Sequence, residues 1–184
     1  MTIDTLKKQI PDYAKDLRIN LGNVLDTEQS AGMTEQQVWG TALATAIAAR
    51  NRDLIAAIAA DAQAHLDETW LNASRSAAAI MGMNNIYYRF VHLASNDEYA
   101  KLPAKLRMTV IGNPGIDKVD FELMSLAVSA INGCGLCIDS HERILKHGGV
   151  SSEVIQHAVR IASVMHAVAC VLDTHESASL AQAA

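Results

Sequence analysis

Aromatic side chains are scarce in this sequence. They make up 4% of it while half of the residues are hydrophobic, so a core must be built from Ala, Leu, Ile, Val and Met. That material favours closely packed helices over strands, which draw on β-branched and aromatic residues. Only three prolines and ten glycines punctuate the chain, and no segment sustains the period-2 alternation of a half-buried strand. The expected fold is all-α. Positive charge is also in short supply: the formal net charge is −5, the pI is near 5.7 and no basic cluster occurs, which excludes a nucleic-acid footprint. The N-terminal "MTIDTLKKQIPDYAKDL" lacks the apolar stretch of a secretory signal. No run approaches the roughly 18 uninterrupted apolar residues of a spanning helix. The expectation is a soluble cytoplasmic protein with no membrane or nucleic-acid partner. At 184 residues it should form a single domain over 1–184.

What is present is a series of helix signals. Thr34 and Gln37 stand in capping-box spacing before a helix over Thr34–Ala49. Further helices are expected over Asp53–His65 and from about Asp67 to Ala94. Asn113-Pro114-Gly115 is turn chemistry and interrupts the pattern. Helix resumes near Asp120 and runs to Gly133, a second follows through the cysteines to Gly148-Gly149, and Ser151 or Ser152 caps a last one from Glu153 to about His175. The tail "SASLAQAA" should fray. A shift of 83 residues places Leu43, Ala44 and Ile55 on Leu126, Ala127 and Ile138. Alanine-rich helices align easily, so composition alone does not establish the repeat. Under the same shift Asn51, Leu54 and Ile58 fall on Cys134, Cys137 and His141, so the sulfurs and the imidazole belong to the second unit alone.

The chemistry concentrates in residues 120–148, at "GCGLCIDSH". Cys134, Cys137 and His141 fall at i, i+3 and i+7, one face of a helix. With Gly133 marking the break, Cys134 is expected in the first turn, where unpaired N–H groups and the helix dipole favour a thiolate. His141 lies one turn beyond Cys137, placed to receive or relay a proton. The dipole favours Cys134 as the attacking sulfur and the histidine favours Cys137. A base also needs a partner that sets its tautomer. Glu122, between Phe121 and Leu123 on the preceding helix, shares a stripe with Leu126, Ser129 and Gly133. It either pairs inward or sits on a solvent-facing first turn.

Zinc is the alternative use of Cys134, Cys137, His141 and His147. Structural zinc sites draw ligands from two separate elements, whereas three of these share one short helix, and no second C-x-x-C exists. The remaining residues read as structural. Cys170, among apolar neighbours, should be a small buried hydrophobe. His157 and His166 should be paired or at the surface, and His65, His92 and His175 lie near helix ends. Met81, Met83 and Met108 should fill core gaps. "MGMNNIYYRF" sets Asn84, Asn85, Tyr87, Tyr88 and Arg89 in an apolar helix, as a polar seam or an interface.

The pattern Glu122 … Cys134-x-x-Cys137-x-x-x-His141 resembles the active-site signature of the alkyl hydroperoxidase D family, within the wider carboxymuconolactone decarboxylase-like group. "MGMNNIYYRF", "RMTVIGNPGIDKVDFEL" and "AVSAINGC" are similar to that family as well, so the resemblance covers nearly the whole chain. It implies an all-helical fold with a duplicated helical unit, a homotrimer, and an antioxidant thiol enzyme without a bound cofactor. Such an enzyme reduces hydroperoxides weakly by itself. It takes electrons from dihydrolipoamide on a lipoylated dihydrolipoamide acyltransferase and passes them to a peroxiredoxin, alkyl hydroperoxide reductase C. By the family pattern Cys137 becomes the sulfenic acid, Cys134 is proton donor and resolving thiol, and Glu122 with His141 forms the proton relay; the redox disulfide is Cys134–Cys137. Some members carry a histidine between the cysteines where this chain has Leu136, so tuning by that residue must come from elsewhere. Three rivals stand beside this reading: a lactone decarboxylase of the same wider group, which has no use for two sulfurs, a non-enzymatic zinc-binding helical interaction protein, and a dithiol oxidoreductase that serves partners other than peroxiredoxins.

Overall fold

In a computed structural model the backbone is described over residues 1–183 and the side chains over residues 1–174. The helices are α1 (Ile3–Lys7), α2 (Lys15–Asn23), α3 (Glu35–Ala49), α4 (Arg52–Ala62), α5 (Glu68–Leu93), α6 (Glu98–Lys101), α7 (Thr109–Gly112), α8 (Lys118–Asn132), α9 (Gly135–His147) and α10 (Ser152–Ala183), and no strand occurs among the described residues. The sequence-based starts of α3, α4 and α5 hold to within a residue because they rest on caps. Thr34 and Gln37 form the reciprocal capping box of α3, Asn51 accepts from the Leu54 N–H at the start of α4, and Asp67 accepts from the Trp70 N–H at the start of α5. Each such cap contributes about 1 kcal/mol, enough to fix where a helix begins but not to hold it.

Burial does the holding. Helix α3 packs against α5, α8 and α10, and α8 against α5, α9 and α10. Between them lie Leu43, Leu54, Ile58, Leu123, Leu126, Ile161 and Met165, all essentially inaccessible. At about 1.5–3 kcal/mol for each large aliphatic side chain buried, this set outweighs the caps several-fold. Gly40 lets α3 approach closely: a Cβ there would stand 3.1 Å from both the Met124 sulfur and the Trp70 ring.

Two parts of the chain depart from the sequence reading. Helices α1, α2, α6 and α7 carry no long periodic pattern, and none was expected. Helix α10 runs on to Ala183 instead of stopping near His175; the side chain of His175 and the frayed tail expected after it fall outside the described side chains. Over Ser152–Thr174 this helix is long and apolar enough to cross a membrane by length and composition. It is nevertheless a core helix here, burying Ala158, Ile161, Ala162, Met165, Val168 and Ala169.

The 83-residue shift is visible in the structure. It carries α3 onto α8 end for end and the start of α4 onto the start of α9. Arg50 and Gly133, both left-handed at φ 70° and 65°, are the equivalent C-caps. Gln37 and Asp120 are equivalent positions, and the Gln37 amide donates to the Asp120 carboxylate at 2.7 Å. A contact between equivalent positions is what a two-fold relation between units brings about.

His157 ties α10 to the segment after α2, its Nε2–H donating to the Val24 carbonyl at 3.1 Å. Burial holds its pKa below the ordinary 6.5, the Val24 bond opposing this and Arg160 adding to it, and its buried Nδ1 has no hydrogen-bond partner among the described residues. Protonation therefore favours the unfolded chain. The stability from the neutral ring is complete above pH 6.5 and is lost as the pH falls from there toward the lower folded value. The thermal midpoint is expected to drop on acidification through this window, by about 2–4 °C for each kcal/mol lost. His157→Gln should flatten that slope, and an unchanged slope would rule the ring out as its source.

Candidate active site

Helix α8 ends at Asn132, and Gly133 turns the chain through the left-handed region with its N–H bonded to the Ala130 carbonyl. The next residue, Cys134, is the N-cap of α9, and its sulfur accepts from the Cys137 N–H at 3.3 Å. This corrects the expected placement by one step: Cys134 precedes the first turn, and Cys137 lies within it. Cys134 has taken the capping position that Asn51 occupies in the first unit. The two cysteines are joined as a disulfide. Their exposures differ, for Cys134 is wholly inaccessible whereas Cys137 keeps 7% of its surface.

One turn along α9 is His141. Its Nδ1 lies 2.5 Å from Oε2 of Glu122, which reaches it from α8. Of the two readings of Glu122, the inward one holds: it is 1% exposed, and His141 is 8% exposed. A carboxylate taken out of water in this way is costly without a hydrogen-bonding partner, and the imidazole supplies one. With Nδ1–H donating to the carboxylate, the tautomer is set and the lone pair is left on Nε2.

Cys137, Glu122 and His141 line a cavity of about 480 Å³ between α5, α8 and α9, and Cys134 lies behind it. The rest of the wall is mainly apolar: Met81 and Tyr88 from α5, Met108 and Ile111 from the segment before α8, Leu136 and Ile144 from α9. Leu136 is 39% exposed at this wall. Asn84, Asp139, Ser140 and Arg143 complete it. Apart from Leu136, between the cysteines, sequence reasoning did not assign these residues to the site. Asn84 gave a signal, a polar side chain in an apolar helix, whereas Met108 and Ile111 gave none, since they reach the cavity from a stretch without periodicity.

Other expectations sort as follows. The polar seam lies within the chain, between α5 and α8: the Asn85 amide donates to Ser129 at 2.8 Å, Asn132 donates to Asn85 at 2.9 Å, and Arg89 donates to the Asn132 carbonyl at 2.6 Å. Met81 is buried as expected, but Met83 is only half-buried and Met108 lines the cavity instead of filling a core gap. Cys170 is not buried. It is exposed on the outer side of α10, its sulfur 3.8 Å from His166 Nε2. His65 stacks on Trp39 and bonds to Glu35 at 2.7 Å. His147 is exposed and makes no group with the cysteines. Among the described residues no three His, Cys, Asp or Glu side chains cluster as a metal site, and both motif sulfurs are committed to the disulfide.

The fold and the cavity define a class, an all-helical protein with a Cys-x-x-Cys disulfide and a histidine–carboxylate pair at one pocket. Comparison with known proteins narrows it. Residues 97–176 match the model of the carboxymuconolactone decarboxylase family. The alkyl hydroperoxide reductase AhpD of Rhodospirillum centenum is 59% identical over 97% of this chain and 95% of its own length. That of Rhodopseudomonas palustris is 58% identical over 100% and 99%, and that of Coxiella burnetii 58% over 92% and 96%. The chain belongs to the alkyl hydroperoxide reductase AhpD family.

Proposed function

We propose that the protein is an antioxidant thiol enzyme that reduces organic hydroperoxides through Cys134 and Cys137. In the reduced protein His141, oriented by Glu122, takes the proton of the Cys137 thiol. The thiolate attacks the terminal oxygen of the hydroperoxide; an S–O bond forms as the O–O bond breaks, leaving a sulfenic acid and an alkoxide. The alkoxide takes the Cys134 proton and departs as the alcohol. Cys134 then attacks the Cys137 sulfur, the disulfide closes, and the hydroxide released takes the proton from His141 as water. The observation that carries this reading is the buried Glu122–His141 pair beside the one motif sulfur that reaches the cavity. The decarboxylase rival gives the disulfide no part to play.

The cycle closes when an external dithiol reopens the bridge by exchange. By family membership the reductant is dihydrolipoamide on a lipoylated dihydrolipoamide acyltransferase, and the electrons pass on to a peroxiredoxin of the alkyl hydroperoxide reductase C type in the cytoplasm. The assembly is a homotrimer. Supporting self-association, Ile86, Phe90 and Leu93 form an exposed apolar stripe on α5, continued by Tyr99 and Leu102.

Thiol counting tests the reading. Reduced protein, weighed by light scattering at about three times 19.8 kDa if trimeric, is mixed with a slight excess of cumene hydroperoxide, alkylated and digested. Loss of two thiols as a Cys134–Cys137 disulfide, restored by dihydrolipoamide and poorly by glutathione, is the expected result. Thiols that remain free after mixing would sink it.

A further inference from the structure

Helix α5 presents two consecutive asparagines to the α8 side, and their fates differ. Asn85 is inaccessible and fully engaged, donating to Ser129 and accepting from Asn132. Asn84 is 5% exposed, yet its Oδ1 is buried with no hydrogen-bond partner among the described residues. Such a group is costly inside a protein, where a neighbour or a ligand normally satisfies it. Asn84 lines the cavity that holds Cys137, Glu122 and His141. Met81, Met108 and Ile111 share that wall and offer thioether and hydrocarbon, and none of its polar members bonds to Oδ1.

We propose that the Asn84 carboxamide is the hydrogen-bonding anchor for the hydroperoxide group at Cys137. The inference rests on the peroxidase reading above. A hydroperoxide carries an O–H that donates and an inner oxygen that accepts, and a primary amide offers the complementary acceptor and donor in one plane. Oδ1 accepts from the terminal O–H, and Nδ2–H donates to the inner oxygen, which takes the electron pair as the O–O bond breaks. The anchor therefore holds the peroxide for in-line attack and stabilises the departing alkoxide, a charge that exists only as the reaction proceeds. A dithiol reductant carries no such group and gains nothing from Asn84.

The test separates the two half-reactions. Wild type, Asn84→Leu and Asn84→Asp are each followed by stopped flow, as reduced protein with cumene hydroperoxide and as oxidised protein with dihydrolipoamide. Asn84→Leu, with the same number and branching of heavy atoms, should slow oxidation on the order of tenfold to a hundredfold, leave reduction within about twofold, and keep or raise the thermal midpoint, because an unpaired polar group is replaced by an apolar one. Asn84→Asp should also slow oxidation, by repelling the forming alkoxide. Oxidation unchanged in Asn84→Leu would overturn the proposal alone. So would equal slowing of both half-reactions with a lowered midpoint, the mark of a structural role. Wild type that fails to oxidise would remove the peroxidase reading itself, and the anchor with it.

Discussion

Cys137→Ser is expected to abolish peroxide-driven disulfide formation, with the rate of thiol loss falling on the order of 10³-fold or more, the scale at which loss of a nucleophile is felt. The reason is access. Cys137 lies on the cavity wall one turn from His141, whereas Cys134 is inaccessible behind it and accepts the Cys137 N–H as the N-cap of α9. Serine keeps the side chain's size and so leaves the packing of α9 in place. Cys134→Ser should behave differently: Cys137 can still be oxidised once, but no second sulfur is present to condense with it. A single trappable sulfenic acid on Cys137 is the expected product, measured by mass spectrometry after dimedone labelling. A sulfenic acid on Cys134 in the Cys137→Ser protein would reverse the order of the two sulfurs.

The second large effect belongs to Glu122. Glu122→Gln retains the shape of the side chain and removes its charge. The amide still hydrogen-bonds the ring but no longer stabilises it when it carries the Cys137 proton. General acid–base assistance is typically worth 10²–10⁴-fold, so oxidation by hydroperoxide should slow by about 10²-fold at neutral pH. Raising the pH should recover part of the rate, because a thiol that ionises in solution needs the relay less. That recovery distinguishes a lost relay from a damaged fold, which alkali would not repair. Glu122→Leu should be worse for the protein as a whole, since leaving the buried His141 Nδ1–H without an acceptor costs about 1–3 kcal/mol. A full neutral-pH rate in Glu122→Gln would remove the carboxylate from the mechanism.

Much of this protein could be read from its residues because its helices are bounded by local chemistry. Thr34–Gln37, Asn51, Asp67 and Gly133 fix helix ends through bonds to backbone groups within a few positions, and such bonds do not depend on the rest of the fold. The same holds for Cys137 and His141, four apart on one helix. The 83-residue echo was visible in part, and its strongest trace, Cys134 at the capping position of Asn51, required the cap geometry of both units.

Which face of each helix turns inward was not local. In α8 and α10 alanine, valine and isoleucine occur almost all round, so periodicity points weakly to any one side. Cys170 and Glu122 were therefore open or misread: the crowding of α3 and α8 on one side of α10 leaves Cys170 outside, and the meeting of α8 with α9 turns Glu122 onto His141, nineteen residues away. Asn84 and Asn85 could not be told apart in the sequence for the same reason. The sequence by itself determined the long helices, the capped ends of several of them and a dithiol with its histidine. Only the tertiary structure decided which sulfur reaches the cavity, which carboxylate holds the base and which asparagine is left without a partner, because those choices are made by side chains meeting across helices and not along them.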